Sequence, residues 1–361
     1  MQYRPDQILI QEKALAYPYC QKILKKYKHI EQTIVAQDLE KISLEANHSL
    51  TRGKRILYLK EFKGTGFKLC PGFSESLLCC NYYVLDLVEN CPLECSYCIL
   101  QVFLNRPVIT FHVNVESIVD SMIETVRSRP EQPFRIGTGE HSDSLALDHI
   151  FGVNPFLVET FAGLNNATLE LKTKTDAVDR LIGLKHNGRT VVAWSLNPVE
   201  IITANEHKTA NLRERLHAAA KLCRSGYKVA FHFDPLIHYP DWEKGYQNTV
   251  TELFKEIDPG QIAWISLGTL RYIPRLKQIA EDRFPKTAIF ANEFVSAPDG
   301  KMRYIKPIRK AMLTAMSEWI SEKAPQVPLY LCMERREMWG RLFASCPASP
   351  TELERFLNTG L

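Results

Sequence analysis

From Tyr82 to about residue 285, short β-branched or aromatic runs alternate with longer stretches of three-to-four-residue apolar periodicity. That rhythm predicts repeated strand–helix units. The strand runs are "YYVLDLV" (82–88), "FRIGTGE" (134–140), "ATLELKTK" (167–174), "TVVAWSLN" (190–197), "KVAFHFDP" (228–235) and "IAWISLGT" (262–269). Helical spacing between them predicts helices near 113–128, 176–187, 206–225 and 243–257, the third ending on a glycine stop at Gly226. Six strands with helical crossovers imply a parallel sheet, because parallel neighbours need long right-handed connections. The fold class is therefore α/β, either doubly wound or a partial barrel, and in both the chemistry gathers at the C-terminal strand ends. At those ends stand Cys91, Glu140, Lys174, Ser195 with Asn197, and Asp234.

The flanks break this rhythm. Residues 1–80 predict an N-terminal extension with a helical start, then short strands and turns, including the Gly- and Lys-rich "LKEFKGTGFKLCPGF" (59–73). After about residue 285, Asp299-Gly300 between two short strand-like runs is a hairpin signal. A helix near 307–323, the run "VPLYLCM" (327–333) and a last helical segment follow. The expected division is an extension (1–80), a barrel (81–285), and a C-terminal hairpin with helices completing the substrate site (286–361).

With 361 residues and 45% hydrophobic content the chain can bury a large core, which argues against disorder. Its ten cysteines are spread too thinly for a secreted disulfide scaffold, apart from Cys79-Cys80 and one triple, so metal or redox use in a reducing cytoplasm fits better. The N-terminal residues have charges inside every apolar run and do not read as a signal peptide, and no apolar run approaches the ~20 residues of a membrane span. A soluble, cytoplasmic protein is expected. A net charge of +4 says little about partners, but "KILKKYK" (22–28) and "KMRYIKPIRK" (301–310) concentrate cations around aromatics. A solvated helix face accounts for the first cluster.

The triple lies in "ENCPLECSYCILQ" (89–101), with Cys91, Cys95 and Cys98 in C-x3-C-x2-C spacing. Structural zinc wants four ligands, commonly in two pairs, and only His112 offers itself as a partner. A disulfide would leave one thiol over. A 4Fe-4S cluster fits the count, since three cysteines leave one iron open to chelate a small molecule through an amine and a carboxylate. Spacing, position after the first strand, Tyr97 before the last cysteine and the strand rhythm together resemble the radical S-adenosylmethionine (SAM) enzymes. The resemblance implies a reduced cluster that splits SAM, and a 5'-deoxyadenosyl radical that takes hydrogen from the substrate while the protein orients and shields the cofactors. "GTGE" (137–140) stands where such enzymes carry a glycine-rich motif that grips the SAM amino group.

From about Cys70 to Trp339 the chain is similar to the spore photoproduct lyase family, DNA repair enzymes that revert a thymine–thymine photoproduct. "CSYC", "SDSLALDH" (142–149), "LKTKTDAV", "AWSLNP", "GKMRY" and "LYLCMERREMW" carry the likeness. It implies that Cys91, Cys95 and Cys98 hold the cluster and that Glu140, Ser142, Lys174 and Ser195 surround SAM. Tyr97 and Glu140 would act near the reacting atoms, and Arg303 and Tyr304 would meet the damaged DNA on a hairpin. A Lys/Arg-rich hairpin with a tyrosine at its tip can neutralise phosphates and stack beside an extruded base. The implied partners are photodamaged DNA and a reductase or flavodoxin/ferredoxin-type electron donor.

Two departures stand out. Glu140 occupies the place of the family's hydrogen-returning cysteine, and a carboxylate does not donate a hydrogen atom at useful cost. Ile99 replaces the family's second tyrosine. Tyr97, Tyr272, Tyr304 and Cys332 are other potential donors. The expectation is a carbon–carbon lyase on the photoproduct. The alternatives are a radical SAM relative with another substrate, and a non-catalytic nucleic-acid-binding protein with a structural metal site.

Overall fold

The apolar runs become neighbours in an eight-stranded sheet, in the order Leu329–Leu331, Ile262–Thr269, Lys228–Leu236, Thr190–Ser195, Ala167–Thr173, Phe134–Gly137, Tyr83–Leu85, Phe67–Leu69. All neighbours are parallel except the last pair, which is antiparallel. Every residue of Thr190–Ser195 and Ile262–Thr269 is buried, as expected of central parallel strands covered on both faces. The sheet curls, and Arg135 near one edge shows how far. Its guanidinium lies 4.9 Å from the Trp264 ring and 5.3 Å from the Tyr330 ring, both on strands at the opposite edge. The α/β half-barrel expected from the hydrophobic rhythm is thus formed. The computed structural model describes residues 3–36, 48–72, 77–343, 346–358 and 360–361, so parts of the 1–80 extension (1–2, 37–47 and 73–76) lie outside the described residues.

Several local expectations are corrected. No α-helix forms over 176–187; only a single 3-10 turn, Asp179–Leu181, appears there, because Gly183 (φ 78°) and Asn187 (φ 49°) take the left-handed conformation that ends right-handed winding. The helix expected from 206 starts instead at Leu212, where Asn211 and Glu214 form a reciprocal capping box. That frees Glu206–His207 to pair as a short strand with Glu94–Cys95 of the cysteine loop.

The N-terminal segment opens on a strand, not a helix. Gln7–Gln11 lies second in a further, five-stranded sheet ordered Glu31–Val35, Gln7–Gln11, Ile56–Lys60, Ile109–His112, Val88–Glu89. This sheet takes strands from both sides of residue 80, and Ile109–His112 had no separate signal because it abuts the helix Val115–Arg127 in one apolar run. At the other end, Phe294–Ser296 and Met302–Tyr304 pair across the Asp299-Gly300 turn, and Arg271–Tyr272 adds a third strand. Helices Lys306–Lys323, Arg336–Leu342 and Pro350–Asn358 complete the C-terminal part. Among the described residues, no helix is long and apolar enough to cross a membrane.

Candidate active site

The cysteine loop is braced residue by residue. Asn90 takes the left-handed conformation (φ 71°), which Asn tolerates, and its side chain accepts from Cys91 N at 2.8 Å while donating to Pro107 O at 2.6 Å. Gln101 Nε2 reaches back to the carbonyls of Ser96 (2.9 Å), Cys98 (3.2 Å) and Cys95 (3.3 Å). Glu94 meets Arg283 at 2.6 Å and Lys54 at 3.2 Å, and Lys54 also donates to Leu93 O at 2.7 Å. Ser96 is tied to Asn205 through both its backbone N–H and its hydroxyl.

Cys91 and Cys95 are buried and Cys98 is half-buried. Burial pushes the Cys91 thiol up to about 12 and the Cys95 thiol well above its ordinary range, and neighbouring thiols add to both shifts. Burial therefore favours the neutral thiols at Cys91 and Cys95, and holding the loop as thiolates would take a cationic group to share. Among the described residues, no three Cys, His, Asp or Glu side chains converge on a point that could hold one metal ion. A cluster takes each thiolate on a different iron, and the one loop carries three cysteines for it. The donor set fits a cluster.

Behind the loop sits a buried polar network that the sequence did not reveal. Glu206 meets the Tyr97 hydroxyl, Asn197 Nδ2 at 2.9 Å and Arg215 at 2.5 Å. Arg215 is fully buried and also donates to Ser195 O (2.8 Å), Thr209 Oγ1 (2.8 Å) and Ala210 O (2.9 Å). Burial alone would push Glu206 up, but Arg215, Lys174 and its hydrogen-bond donors hold it at about 2. Lys174 Nζ lies 5.8 Å from the Tyr97 ring centroid. The network therefore gathers Tyr97, Lys174 and Ser195 against the cysteine loop. Glu206, Arg215, Glu94, Gln101 and Arg283 fit no spacing motif; only the fold brings them together.

The strand end after Phe134–Gly137 is built differently. Asp143 accepts from Leu145 N, Ala146 N, Thr173 Oγ1 and Lys174 N at 2.7–3.0 Å, fixing the turn that presents Ser142. Ser142 is 5% exposed and its Oγ has no protein partner, while the residue lines a cavity of about 30 Å³. Glu140 is half-buried, and its carboxylate makes no hydrogen bond or ion pair among the described residues. An orphaned hydroxyl and an uncommitted carboxylate at this strand end fit a ligand bearing an ammonium and a carboxylate, as SAM does. The glycines of "GTGE" serve neighbouring side chains: a Cβ on Gly137 would fall on the Tyr82 hydroxyl, and one on Gly139 would come 2.9 Å from Lys172 Cβ. His141 pairs with Asp86 at 2.7 Å, as a satisfied strand-end residue does.

The hairpin corrects the expected DNA contacts. Tyr304 is not at the tip; it lies on the strand Met302–Tyr304, is 0% exposed, stacks on Phe294 at 4.5 Å and accepts from His238 N at 3.0 Å. Arg303 is buried in a two-pronged pair with Asp299 (2.6 and 2.8 Å). Both side chains are buried, Tyr304 by packing on Phe294 and Arg303 by its pairing with Asp299. Lys301 is the half-buried cation of this hairpin that senses Arg271 and Cys332 at the barrel's edge, and burial pushes its pKa down.

A curled parallel half-barrel with a three-cysteine loop after its first parallel strand is the architecture of the radical SAM proteins, and the chain is one of them. A family model described as spore photoproduct lyase matches residues 3–330, and the chain belongs to that family. Spore photoproduct lyase of Bacillus subtilis (strain 168) is 26% identical over 346 residues, covering 90% of this chain and 97% of the relative. That of Geobacillus sp. (strain Y412MC61) is 26% identical over 296 residues, covering 80% and 85%. Among solved structures, a doubly substituted spore photoproduct lyase with bound AdoMet and dinucleoside spore photoproduct has a TM-score of 0.81 at 24% identity, covering 92% of this chain and 99% of the other. A spore photoproduct lyase complexed with the dinucleoside alone gives the same TM-score and coverage at 23% identity.

Proposed function

We propose that the protein repairs the spore photoproduct in DNA as a radical SAM lyase, with Cys91, Cys95 and Cys98 holding a 4Fe-4S cluster and Glu140, Ser142, Lys174 and Ser195 around SAM. When bound, these groups supply the 5'-deoxyadenosyl radical that takes a hydrogen atom from the photoproduct. The observation that carries the proposal is the convergence of Lys174, Ser195 and Tyr97 on the cysteine loop through one buried Glu206–Arg215 pair. The chain's own part is to orient and to keep water out. Asp143 holds the backbone of Lys174, Arg215 holds that of Ser195, and Glu206 takes the Tyr97 hydroxyl hydrogen bond, which withdraws Tyr97 from proton or hydrogen transfer.

We assign residues 81–285 to the catalytic barrel and 286–361 to its substrate-side closure, with Lys301 the cation best placed for a phosphate. The electron comes from a reductase or a flavodoxin/ferredoxin-type protein, and the setting is cytoplasmic. The test is anaerobic cluster reconstitution followed by dithionite, SAM and DNA carrying the photoproduct. Deoxyadenosine together with restored thymine is expected. Deoxyadenosine without thymine would assign another substrate, and no deoxyadenosine above a cluster-free control would leave a binding protein.

A further inference from the structure

The reaction proposed above leaves a carbon radical on the substrate that must regain a hydrogen atom, and Glu140 cannot supply one. The structure also withdraws the tyrosines. Tyr97 is spent on Glu206, Tyr304 is buried with its oxygen on His238 N, and Tyr272 is buried between Phe290 and Phe294, each 4.9 Å away.

Thiols remain, and four of them gather at the open edge of the half-barrel: Cys70, Cys79, Cys80 and Cys332. Cys332 is engaged with Asp234 and lies 3.5 Å from Arg271, which itself pairs with Asp234 at 3.0 Å. Cys79 and Cys80 are engaged with each other through a shared hydrogen bond, which lowers the pKa of Cys80 and raises that of Cys79. Cys70 differs from all three. It follows the edge strand Phe67–Leu69, its backbone N–H is pinned to Tyr82 O at 2.8 Å, and among the described residues its half-buried sulfur accepts only a long contact, 3.4 Å, from Gly72 N. After burial, the charges acting most on this thiol include the Glu140 carboxylate, with Lys172 opposing.

We propose that Cys70 is the hydrogen-atom donor of this protein: the thiol that the family carries at the position of Glu140 is supplied here from the edge strand two places along the same sheet. Burial holds the Cys70 pKa up at about 11, so the S–H persists at neutral pH. In the step, the S–H bond of Cys70 breaks homolytically, a C–H bond forms on the substrate radical, and the odd electron passes to sulfur. One electron from the one-electron reductant that the reaction already requires, with a proton from water, restores the thiol. With Ile99 in place of a phenol, no tyrosine stands there to pass the hydrogen back to deoxyadenosine. Each repair therefore leaves one deoxyadenosine behind.

The inference rests on the lyase assignment, and the experiment separates the two. Without SAM or reductant, the photoproduct dinucleoside should protect Cys70 from N-ethylmaleimide, read by peptide mass, while Cys346 labels as before. In turnover in deuterium oxide, the wild type should place one solvent deuterium in the restored thymine with deoxyadenosine and thymine in equal amounts. Cys70→Ser should keep deoxyadenosine formation and lose most of the deuterated thymine, and the double variant Cys70→Ser with Glu140→Cys should regain it. Circular dichroism and iron content verify that the variants fold. Unchanged deuterated thymine in Cys70→Ser, its loss in Cys332→Ser alone, or unprotected Cys70 overturns the inference and leaves the lyase assignment standing. No thymine from the wild type overturns both.

Discussion

The cysteine loop and the strand end carrying Glu140 both sit at the C-terminal end of the half-barrel, yet their carboxylates live in opposite circumstances. Glu206 behind the loop is fully enclosed and meets Tyr97, Asn197 and Arg215, whereas Glu140 is half-buried and makes no hydrogen bond or ion pair among the described residues. The loop must place three sulfurs around one group, so an error at any residue is felt by all. The Glu140 position has few dependents, and a cysteine can become a glutamate there without disturbing its neighbours. The parts that generate a radical are over-determined, and the part that quenches it is free to be rebuilt.

The largest break in this contrast comes from the loop itself. Cys98→Ala should abolish the brown chromophore and deoxyadenosine formation together, measured by absorbance and by product mass after anaerobic reconstitution. Glu140→Gln should keep the chromophore unaltered. If Cys98→Ala retained both signals, the three-thiol assignment would be wrong.

Next in size is the brace. Arg215→Met leaves the Glu206 charge buried without its partner, and breaking such a pair costs about 3–5 kcal/mol. Glu140→Gln removes a charge that nothing pairs, and such substitutions fall within about 0.5 kcal/mol. Urea denaturation of both variants, read by circular dichroism, should separate them clearly. Equal midpoints would mean that the two carboxylates are equivalent after all.

Legibility from sequence follows the same division. The strand Ile262–Thr269 and the cysteine triple could be read directly, because a fully buried parallel strand is a continuous apolar run and a multi-thiol ligand set is a local spacing. The helix expected over 176–187 could not form, since its apolar spacing was outweighed by backbone that turns left-handed at Gly183 and Asn187. The brace was invisible for another reason. Arg283 reaches Glu94 across 189 positions, and no spacing rule spans that distance. Tyr304 and Arg303 were misplaced because a tyrosine in a basic hairpin reads as a tip residue, while contacts distant in sequence (Phe294 and His238 for Tyr304) and the Asp299 pair for Arg303 bury both.

Gly137 tests the floor between the two regions. Its missing Cβ is where the Tyr82 hydroxyl lies, and Glu170 O is 2.9 Å from the same point. Gly137→Ala should therefore displace Tyr82, with an overpacking cost of about 1–3 kcal/mol. The companion Tyr82→Phe removes the colliding hydroxyl, so the double variant should recover part of the loss. A fully additive double variant would show that the contact is not what constrains position 137.

The smallest effect belongs to His141, next to Glu140, where Asp86 holds the imidazole and Lys68 joins from solvent at 2.6 Å. The hydrogen bond that His141 donates to Asp86 raises the His141 pKa above its ordinary 6.5 against an opposing burial effect. Burial would push Asp86 up, but His141 and Lys68 hold it below its ordinary 3.8. For the histidine, the folded value is the higher one, so its stabilisation is complete below 6.5 and disappears as pH rises through the raised value. For the aspartate the folded value is lower, so its share is complete above 3.8 and is lost as pH falls through the depressed value. The wild type should exceed His141→Gln by about 1 kcal/mol at mildly acidic pH. That gap should narrow on the alkaline side, where the imidazole is neutral in both folded and unfolded chains. Urea midpoints taken at about pH 5.5 and about pH 9 read the difference. A gap that widened with pH would show that His141 is held as the neutral form, and that the loosely built side of the mouth has no charge pair fixing it at all.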